Sequence, residues 1–389
     1  MWKKKICIIT TMSSSIDNWI KPFICEYEKL NVKITIVCNM TKEYAIELEE
    51  NYKYVDAVVI NFPRGNSIIG SLKSILSLVK LFKKNKYDMV QYSTPNASVY
   101  ASIASWICKI PVRLYCQWGM IYVSQTGIKR FFYKLLEKNT CRLSTNIQPD
   151  SFGNLTYCRK KNIYSENKSE VIWNGSAKGI DSTIYDISKK NIYSIGIRNR
   201  YSISSEAIII GFVGRLGKEK GCNELFEAFR TIEKRYNNLY LLFVGPLEKE
   251  DTIEPDLLTY FKNNKNIIKT DRVLDVEKYI SAMDIFVLPS YREGFGMSVV
   301  EAEAMEVPVI VTEYPGPIGG MIPNKTGLTV PIKNVDRLVE AMSFLINNPD
   351  IRLKMGSEAR SYVIKSFDRK KFIKKYMENR KRILGILDE

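Results

Sequence analysis

Residues 207–221 read Ala-Ile-Ile-Ile-Gly-Phe-Val-Gly-Arg-Leu-Gly-Lys-Glu-Lys-Gly. The apolar run predicts a buried strand that ends at Gly214, and the glycine-rich turn after it predicts a connection into a helix. Glycines let a backbone approach a phosphate closely, and a helix start presents N–H donors to it. Arg215 and Lys220 add two cations there, so the stretch fits a phosphate site or a plain strand-to-helix connection with solvated cations.

A second stretch of sequence favours the phosphate site over a plain strand-to-helix connection. A predicted strand at 285–289 is followed by a loop that carries Glu293 and by a helix that carries Glu301 on its second turn. Each carboxylate can accept hydrogen bonds from two neighbouring hydroxyls, as a polyol requires. The backbone amides of Gly296, Met297 and Ser298 lie at the predicted helix start, where a phosphate or a sugar can bind. The same helix carries Glu303, which is predicted to be an ordinary exposed acid, as is Glu306 after it.

Short apolar runs alternate with helical patterns along the whole chain, which predicts a doubly wound α/β fold with parallel sheets. The pattern blurs between residues 183 and 205 and then restarts at Ala207. With 389 residues, the chain is long enough for two such domains. Ligands of these sheets bind at the carboxyl ends of the strands, so two facing domains would form a cleft.

Composition excludes several classes of chemistry. Histidine is absent, which removes Ser-His-Asp hydrolysis and histidine-based metal sites. The eight cysteines form no C-x-x-C pair, which predicts a reduced, cytoplasmic protein without structural zinc. The most apolar segment, residues 99–115, is interrupted by Lys109 and Arg113 and is not predicted to span a bilayer.

The positive charge is concentrated in the first half of the chain. The whole chain carries +16; residues 1–200 carry +15 and the rest carries +1. Residues 71–86 and 128–138 read as amphipathic helices whose apolar stripes are predicted to pack into the core. Their lysines, together with Phe131, Phe132 and Tyr133, could also rest on anionic lipid headgroups. Nucleic acid is not favoured, because no binding motif accompanies the charge.

The spacing of these motifs resembles a known enzyme family. Glu293 and Glu301, with Gly214-Arg215 and Lys220 upstream, are similar to the motifs of the retaining glycosyltransferases of family 4, also called glycosyl transferases group 1. The resemblance is strong over residues 207–365 and weaker over 1–180, and bacterial capsule and O-antigen enzymes look most similar. Further matching segments lie in the second half: 243–246, 283–290, 308–312, 315–317 and 326–331.

The resemblance implies a GT-B fold of two Rossmann-like domains that face each other across a cleft. It places an acceptor-binding domain at residues 1–190 and a donor-binding domain at 191–365. A C-terminal helix within 366–389 is expected to pack back on the first domain. The implied reaction moves a sugar from a nucleotide-diphosphate donor, UDP-sugar by expectation, to a glycan acceptor that is lipid-linked, in bacterial surface polysaccharide synthesis.

The family's donor contacts can be carried over position by position. Arg215 and Lys220 would neutralise the donor diphosphate, and Glu293 would hold hydroxyls of the transferred sugar. Glu301 would accept from the ribose, and Val273 would offer its backbone to the nucleobase. Gly214 and the amides at residues 296–298 complete the expected donor site. The chain has no D-x-D motif, so neither a metal nor another cofactor is expected.

The departures from the family lie on the acceptor side. A Gly-Gly loop is common after the first strand, whereas this chain has Ser13-Ser14-Ser15 there, and Ser14 and Ser15 are candidate acceptor contacts. A histidine before a glycine is also common, whereas this chain has Cys116-Gln117-Trp118-Gly119, and Gln117 is the expected hydrogen-bonding substitute. Two alternatives remain open: a nucleotide-sugar epimerase of the same fold, and an inactive nucleotide-sugar-binding partner in a glycosyltransferase complex. A cytoplasmic location is expected, peripheral to the inner face of the plasma membrane.

Overall fold

The protein divides into two compact units. A computed structural model describes residues 2–63, 67–248 and 250–386. Unit 1 comprises Met1–Lys178 together with Lys371–Glu389, and unit 2 comprises Gly179–Lys370.

Unit 1 is built on a six-stranded parallel sheet whose strand order is 3-2-1-4-5-6. Its strands are β1 Lys4–Met12, β2 Val32–Asn39, β3 Val55–Val59, β4 Met89–Tyr92, β5 Val112–Gln117 and β6 Asn146–Pro149. Its helices are α1 Ser13–Trp19, α2 Lys21–Lys29, α3 Lys42–Asn51, α4 Ile68–Asn85, α5 Pro95–Ile107, α6 Gly127–Leu143 and α7 Phe152–Lys160. Apolar side chains are buried against both faces of the sheet, because a parallel sheet is covered by helices on both sides.

Unit 2 repeats this plan with a second six-stranded parallel sheet, whose order is β12-β11-β10-β7-β8-β9. Its strands are β7 Ile208–Val213, β8 Leu239–Val244, β9 Ile267–Thr270, β10 Ile285–Leu288, β11 Val309–Thr312 and β12 Gly327–Val330. Its helices are α8 Lys190–Arg200, α9 Cys222–Ile232, α10 Pro255–Asn263, α11 Val276–Ser281, α12 Met297–Ala304, α13 Val335–Asn347 and α14 Pro349–Ser366, and α15 Arg369–Leu384 follows them. The predicted doubly wound α/β class is confirmed.

The division of the chain differs from the predicted boundary at residue 190. Residues 179–190 belong to unit 2, where Ile180 pairs with Asp368 in an isolated bridge and Tyr185 is buried in the core. The stretch 183–205, expected to join the domains, contains α8 and packs within unit 2 through Ile197. This helix is difficult to predict from the sequence because it is mostly polar: only one of its eleven residues is buried.

Most of α15 belongs to unit 1. Phe372, Tyr376 and Met377 are buried in a core of that unit. Arg380 of the same helix is 0% exposed, and its guanidinium lies 3.9 Å from the centre of the Tyr376 ring. An arginine can be buried when an aromatic face and hydrogen-bond acceptors replace its hydration.

The expected burial of the two basic amphipathic segments is wrong for much of their apolar surface. Only Thr140 and Cys141 of α6 are buried, while Phe131 is 70% exposed. In α4 the residues Ser74, Leu78 and Phe82 are buried, but the large apolar residues of the first two turns are exposed. The exposed apolar residues of these two helices are Ile68, Ile69, Leu72, Leu76, Ile128, Phe131, Phe132 and Leu135.

None of the described helices is both long enough and apolar enough to span a membrane. All eight cysteines are free thiols, as the absence of a C-x-x-C pair suggested.

Glu303 was expected to be exposed, and this expectation is wrong. The side chain is 0% exposed because α12 is covered by α14 on this side. Burial raises the pKa of Glu303 well above its usual value, an effect that the neighbouring Thr326 hydroxyl partly offsets. Neither carboxyl oxygen of Glu303 forms a hydrogen bond of normal geometry with any of the described residues. A buried carboxyl in this state lowers the stability of the fold.

We therefore expect Glu303→Met to raise the free energy of unfolding by about 1–3 kcal/mol at pH 7.5, since an apolar side chain of similar volume removes the desolvation cost. Urea unfolding of the two proteins measures the difference. Glu340→Met, at an exposed position of α13, is the matched control and should change stability by less than about 0.5 kcal/mol. A loss of stability in Glu303→Met would contradict the interpretation.

Candidate functional site

The candidate site of unit 2 lies where the strand order of its sheet reverses. From β7 the chain moves outward to β8 and β9, and it then returns to β10 on the other side of β7. In such sheets the connections that leave the two central strands diverge, and a crevice opens outside their carboxyl ends. The turn after β7 carries Arg215 and Lys220, and the loop after β10 carries Glu293.

A close backbone approach brings these two connections together. Lys218–Lys220 form a short 3-10 turn, and Gly221 follows with φ at 72°. A Cβ atom at Gly221 would lie 2.1 Å from the carbonyl oxygen of Pro289. Only glycine tolerates both the left-handed backbone and this contact. The turn is therefore held against the end of β10, and the loop that follows β10 begins beside it.

The close approach at Gly221 allows Lys220 and Glu293 to form an ion pair. The Lys220 Nζ atom lies 2.5 Å from Glu293 Oε1, and the two side chains are only 19% and 13% exposed. Gly316 packs on the other side of the loop, where a Cβ atom would lie 2.6 Å from the Glu293 carbonyl oxygen. An ammonium with three donors and a carboxylate with several acceptor positions stand together there, so the pair can contact a phosphate and a hydroxyl at once.

Arg215 lies on the same turn but makes different contacts. Its guanidinium is 3.5 Å from Glu219 and 3.8 Å from Glu248, and its side chain is 37% exposed. The Glu219 carbonyl accepts a hydrogen bond from the Ser290 hydroxyl at 3.1 Å and from the Tyr291 amide at 3.2 Å. Glu219 thus ties the Arg215 turn to the loop after β10, and Arg215 keeps an exposed, cationic edge.

Arg292 is a third cation at this site, and the sequence interpretation missed it. Burial lowers the pKa of Arg292, and the charges of Glu219 and Arg215 act on it. The sequence feature that could have indicated this role is the position of Arg292 in the loop, directly before Glu293. A partly buried arginine whose charge interacts with that of Arg215 adds positive potential where the diphosphate was predicted to bind.

The start of α12 has the predicted form. Gly296 is the N-cap residue with φ at 85°, and the helix begins at Met297. Met297 and Ser298 occupy the first turn and are partly exposed. Glu301 follows on the second turn and is 7% exposed.

Glu301 belongs to a second cluster within unit 2. The Tyr185 hydroxyl is hydrogen-bonded to Glu301, and burial with this carboxylate raises the pKa of Tyr185 well above its usual value. Glu277, at the start of α11, is also buried, and burial raises its pKa. Tyr185 and Glu277 were missed because their segments carry no motif. Two carboxyls with a phenol provide several acceptors for the hydroxyls of a polyol.

The other residues that were predicted to contact the donor lie in connections of the same sheet. Gly214 directly follows β7, and its amide donates to the Val244 carbonyl at 2.9 Å. Val273 lies in the connection after β9, where it is partly buried against the core. Its predicted role as a backbone contact for a nucleobase stays a prediction.

On unit 1, the expected loop at Ser13–Ser15 is a helix. These residues form the first turn of α1, which begins directly after β1. Ser14 and Ser15 are partly exposed, and the Ser14 carbonyl accepts a hydrogen bond from the Asn18 side chain at 2.8 Å. The N-cap of this helix is Met12, whose side chain forms no capping hydrogen bond, so the serine run carries no capping signal that would have indicated a helix here.

Gln117, the expected acceptor contact, is 0% exposed. Its Nε2 atom donates to Glu137 Oε1 at 2.5 Å, and its Oε1 atom accepts from the Tyr164 hydroxyl at 3.2 Å. The Tyr115 hydroxyl donates to the same Glu137 carboxylate at 3.1 Å. An acceptor could reach the Gln117 amide only if these bonds were broken, so the structure corrects this position to a buried part of a polar network.

Among residues 2–63, 67–248 and 250–386, no group of three His, Cys, Asp or Glu side chains could hold a metal ion.

Comparisons with known families match both units. The family model of glycosyl transferases group 1 matches residues 196–362, and that of glycosyl transferase 4-like proteins matches residues 5–151. The solved structure of HepE from Anabaena in complex with UDP-glucose superposes with a TM-score of 0.75 at 17% identity, covering 97% of this chain and 100% of that one. The protein is a glycosyltransferase, and the two Rossmann-like domains expected of a GT-B fold are confirmed.

Curated relatives narrow the assignment. CapM of Staphylococcus aureus, a capsular polysaccharide biosynthesis glycosyltransferase, is 30% identical over 367 residues, 94% of each chain. The UDP-Gal:alpha-D-GlcNAc-diphosphoundecaprenol alpha-1,3-galactosyltransferase of Escherichia coli is 24% identical over 78% of each chain. The chain belongs to the family of glycosyl transferases group 1.

The Gln117 network makes unit 1 sensitive to pH. Glu137 is partly exposed as a residue, but burial of its carboxyl group raises its pKa from 4.5 to about 7. Below pH 4.5 the carboxyl is protonated in both the folded and the unfolded chain, and its contribution to stability is fully present. As the pH rises from 4.5 towards 7, the unfolded chain releases this proton before the folded chain does. The free energy of unfolding therefore falls, with a slope that approaches about 1.4 kcal/mol per pH unit.

We expect Glu137→Gln to remove this part of the pH dependence, since the amide keeps an acceptor for Gln117 and cannot ionise. Urea unfolding between pH 5 and 8 measures the wild-type chain and the variant in parallel. Glu50→Gln, which replaces an exposed acid on α3, is the control and should retain the wild-type slope. Parallel curves for Glu137→Gln and the wild type would disprove the assignment.

Proposed function

We propose that the protein transfers a sugar from a nucleotide-diphosphate donor, UDP-sugar by preference, to a glycan acceptor with retention of anomeric configuration. The observation that carries this proposal is the Lys220–Glu293 pair at 2.5 Å, which lies where the strand order of unit 2 reverses. One ammonium and one carboxylate at this point match a ligand that carries a diphosphate next to a polyol.

Each part of the donor has a counterpart in unit 2. Lys220 and Arg215 bind the diphosphate, and the partly exposed first turn of α12 supports it through the helix dipole. Glu293 holds hydroxyls of the transferred sugar. Glu301, with Glu277 and Tyr185 around it, receives the ribose, and Val273 receives the base.

The chemical step follows from this arrangement. An acceptor hydroxyl oxygen forms a bond to the anomeric carbon while the bond from that carbon to the diphosphate oxygen breaks. The leaving phosphate takes the proton of the acceptor hydroxyl, so no protein base is required. The cations of Lys220, Arg215 and Arg292 stabilise the charge that develops on the diphosphate. We propose that they do so without a metal ion.

The relatives support a narrower substrate class. The Escherichia coli relative is named for a UDP-galactose donor and a diphosphoundecaprenol-linked acceptor, and CapM is named for capsular polysaccharide synthesis. We therefore propose a lipid-linked glycan acceptor and a role in bacterial surface polysaccharide synthesis, at the cytoplasmic face of the membrane.

The surface of unit 1 supports docking on an anionic membrane. The helices α4 and α6 both pack beside α5, and all three expose large apolar side chains, among them Ile128 at 88%, Phe131 at 70% and Trp106 at 56%. Lys129 and Arg130 are exposed on the same turns of α6. Apolar side chains flanked by cations suit the interface of anionic headgroups and acyl chains. A lipid-linked acceptor would be reached from this position.

The donor assignment predicts two separable effects. Glu293→Gln should reduce transfer sharply while nucleotide-diphosphate binding and the melting temperature are retained, because only the contact with the sugar hydroxyls is weakened. Lys220→Ala should weaken binding of the nucleotide-diphosphate sugar by about 1.5–3 kcal/mol, as for the loss of a charge-assisted hydrogen bond. A thermal-shift screen against UDP-, GDP- and dTDP-sugars selects the donor, and calorimetry and a transfer assay measure the effects.

Lys218→Ala is the matched control for Lys220→Ala, since Lys218 lies on the same turn but is exposed. It should bind the donor as the wild type does. Wild-type transfer by Glu293→Gln would refute the sugar contact, and unchanged affinity in Lys220→Ala would refute the diphosphate contact.

Membrane docking predicts that the chain sediments with phosphatidylglycerol vesicles at low salt, and that added salt releases it because lysine–headgroup attraction is screened. The double variant Ile128→Ser/Phe131→Ser should lose most of the binding without a change in melting temperature. Phe344→Ser is the control, because Phe344 is an exposed aromatic residue of unit 2. Equal sedimentation of both variants, or binding that is insensitive to salt, would argue against the docking surface.

A further inference from the structure

Unit 1 has its own point of strand-order reversal. From β1 the chain moves outward to β2 and β3, and it then returns to β4 on the other side of β1. By the same geometry as in unit 2, a crevice is expected outside the carboxyl ends of β1 and β4. The connections after these strands lack the charged side chains that meet in unit 2, so the ligand chemistry differs.

Two threonines meet at this reversal. The hydroxyl oxygens of Thr11, in β1, and Thr94, after β4, are 2.7 Å apart, and the Thr11 amide donates to the Thr94 hydroxyl at 3.0 Å. Both residues are partly exposed. Thr94 has φ at 64°, a backbone conformation that a β-branched residue rarely adopts. Such strain persists where the surrounding structure enforces it, and it is concentrated at functional sites.

A pair of tryptophans lies at the same edge of this sheet, where β1 and β5 end. Trp19 ends α1, the helix that follows β1, and Trp118 directly follows β5, the neighbour of β4. Their ring centres are 5.9 Å apart at an interplanar angle of 45°, and the Lys178 ammonium lies 5.4 Å from the centre of the Trp19 ring. Three separate segments of unit 1 therefore meet at one edge of the sheet.

Core packing accounts for only part of this arrangement. Trp118 packs against the buried cluster that includes Cys116 and Ile172, which holds its ring in place. Trp118, Trp19 and Lys178 nevertheless all remain partly exposed. An indole that is fixed by the core and still partly exposed is a preformed surface for a ligand that is apolar on one face and polar at its rim.

A pyranose ring has this shape, with C–H groups on its faces and hydroxyls around its edge. We propose that Trp118, with Trp19 beside it, stacks the pyranose ring of the acceptor and that the Thr11–Thr94 pair binds its hydroxyls. This inference rests on the proposed transfer function and names the binding surface of the acceptor sugar. Within the segment Cys116-Gln117-Trp118-Gly119, the sequence alone suggested Gln117 as the acceptor contact, whereas the structure favours its neighbour Trp118.

The test measures binding of neutral sugars, so that it does not depend on transfer. Saturation-transfer NMR with selective irradiation of aromatic protons follows methyl α-glycosides of N-acetylglucosamine, glucose and galactose, with excess UDP present to occupy the donor site. The wild-type chain is expected to bind at least one glycoside and to enhance its ring C–H signals most. Trp118→Ala should weaken that binding by about tenfold or more, whereas Trp118→Phe should stay within about threefold.

Trp2→Ala is the matched control, since Trp2 precedes β1 at the opposite edge of the same sheet and is 38% exposed. It should leave binding unchanged. Equal binding by Trp118→Ala and the wild type, or no wild-type binding to any of the three glycosides, overturns the inference. Calorimetry with nucleotide sugars on the same samples tests the donor site of unit 2, so failure of the proposed function is seen separately.

Discussion

The geometry of the proposed donor site depends on how closely two backbones approach each other at Gly221. With φ at 72°, and with 2.1 Å between a would-be Cβ atom and the Pro289 oxygen, this position excludes every side chain. The approach holds the turn after β7 against the end of β10, and the Lys220 ammonium can then reach the Glu293 carboxylate. Two residues that are 73 positions apart become neighbours because a residue without a side chain stands between their strands.

The two units use one sheet order for two kinds of chemistry. In unit 2 the strand-order reversal carries an ion pair, with Arg215 and Arg292 beside it, and this suits a charged diphosphate ligand. In unit 1 the equivalent position carries two threonine hydroxyls, and two tryptophan rings lie at the same edge of the sheet, a combination that suits a neutral polyol with apolar faces. The common fold supplies the crevice, and the residues on the first turns after the strands decide what binds there.

Burial of polar groups is where expectation and structure differ most. Glu303 lies on the same helix as Glu301 and looks like an ordinary surface acid in sequence, yet α14 covers it. Gln117 resembles an acceptor contact, yet Glu137 and Tyr164 engage both ends of its amide. Conversely, Phe131 has the spacing of a buried helix stripe and is 70% exposed. Periodicity reports which residues share a face of a helix, but not whether another element covers that face.

The sequence by itself determined the layer architecture, since alternating apolar runs and helical patterns permit little else. It also singled out the motif residues that we propose bind the donor, because glycines at strand ends and paired acids at fixed spacing can be recognised without the fold. Only the tertiary structure decided which motif residues meet: Lys220 with Glu293, and Glu301 with Tyr185. It likewise decided that Trp118 and Trp19 stand together. These contacts join segments that are far apart in the chain, and no local pattern encodes a distance that arises only when strands are placed side by side in a sheet.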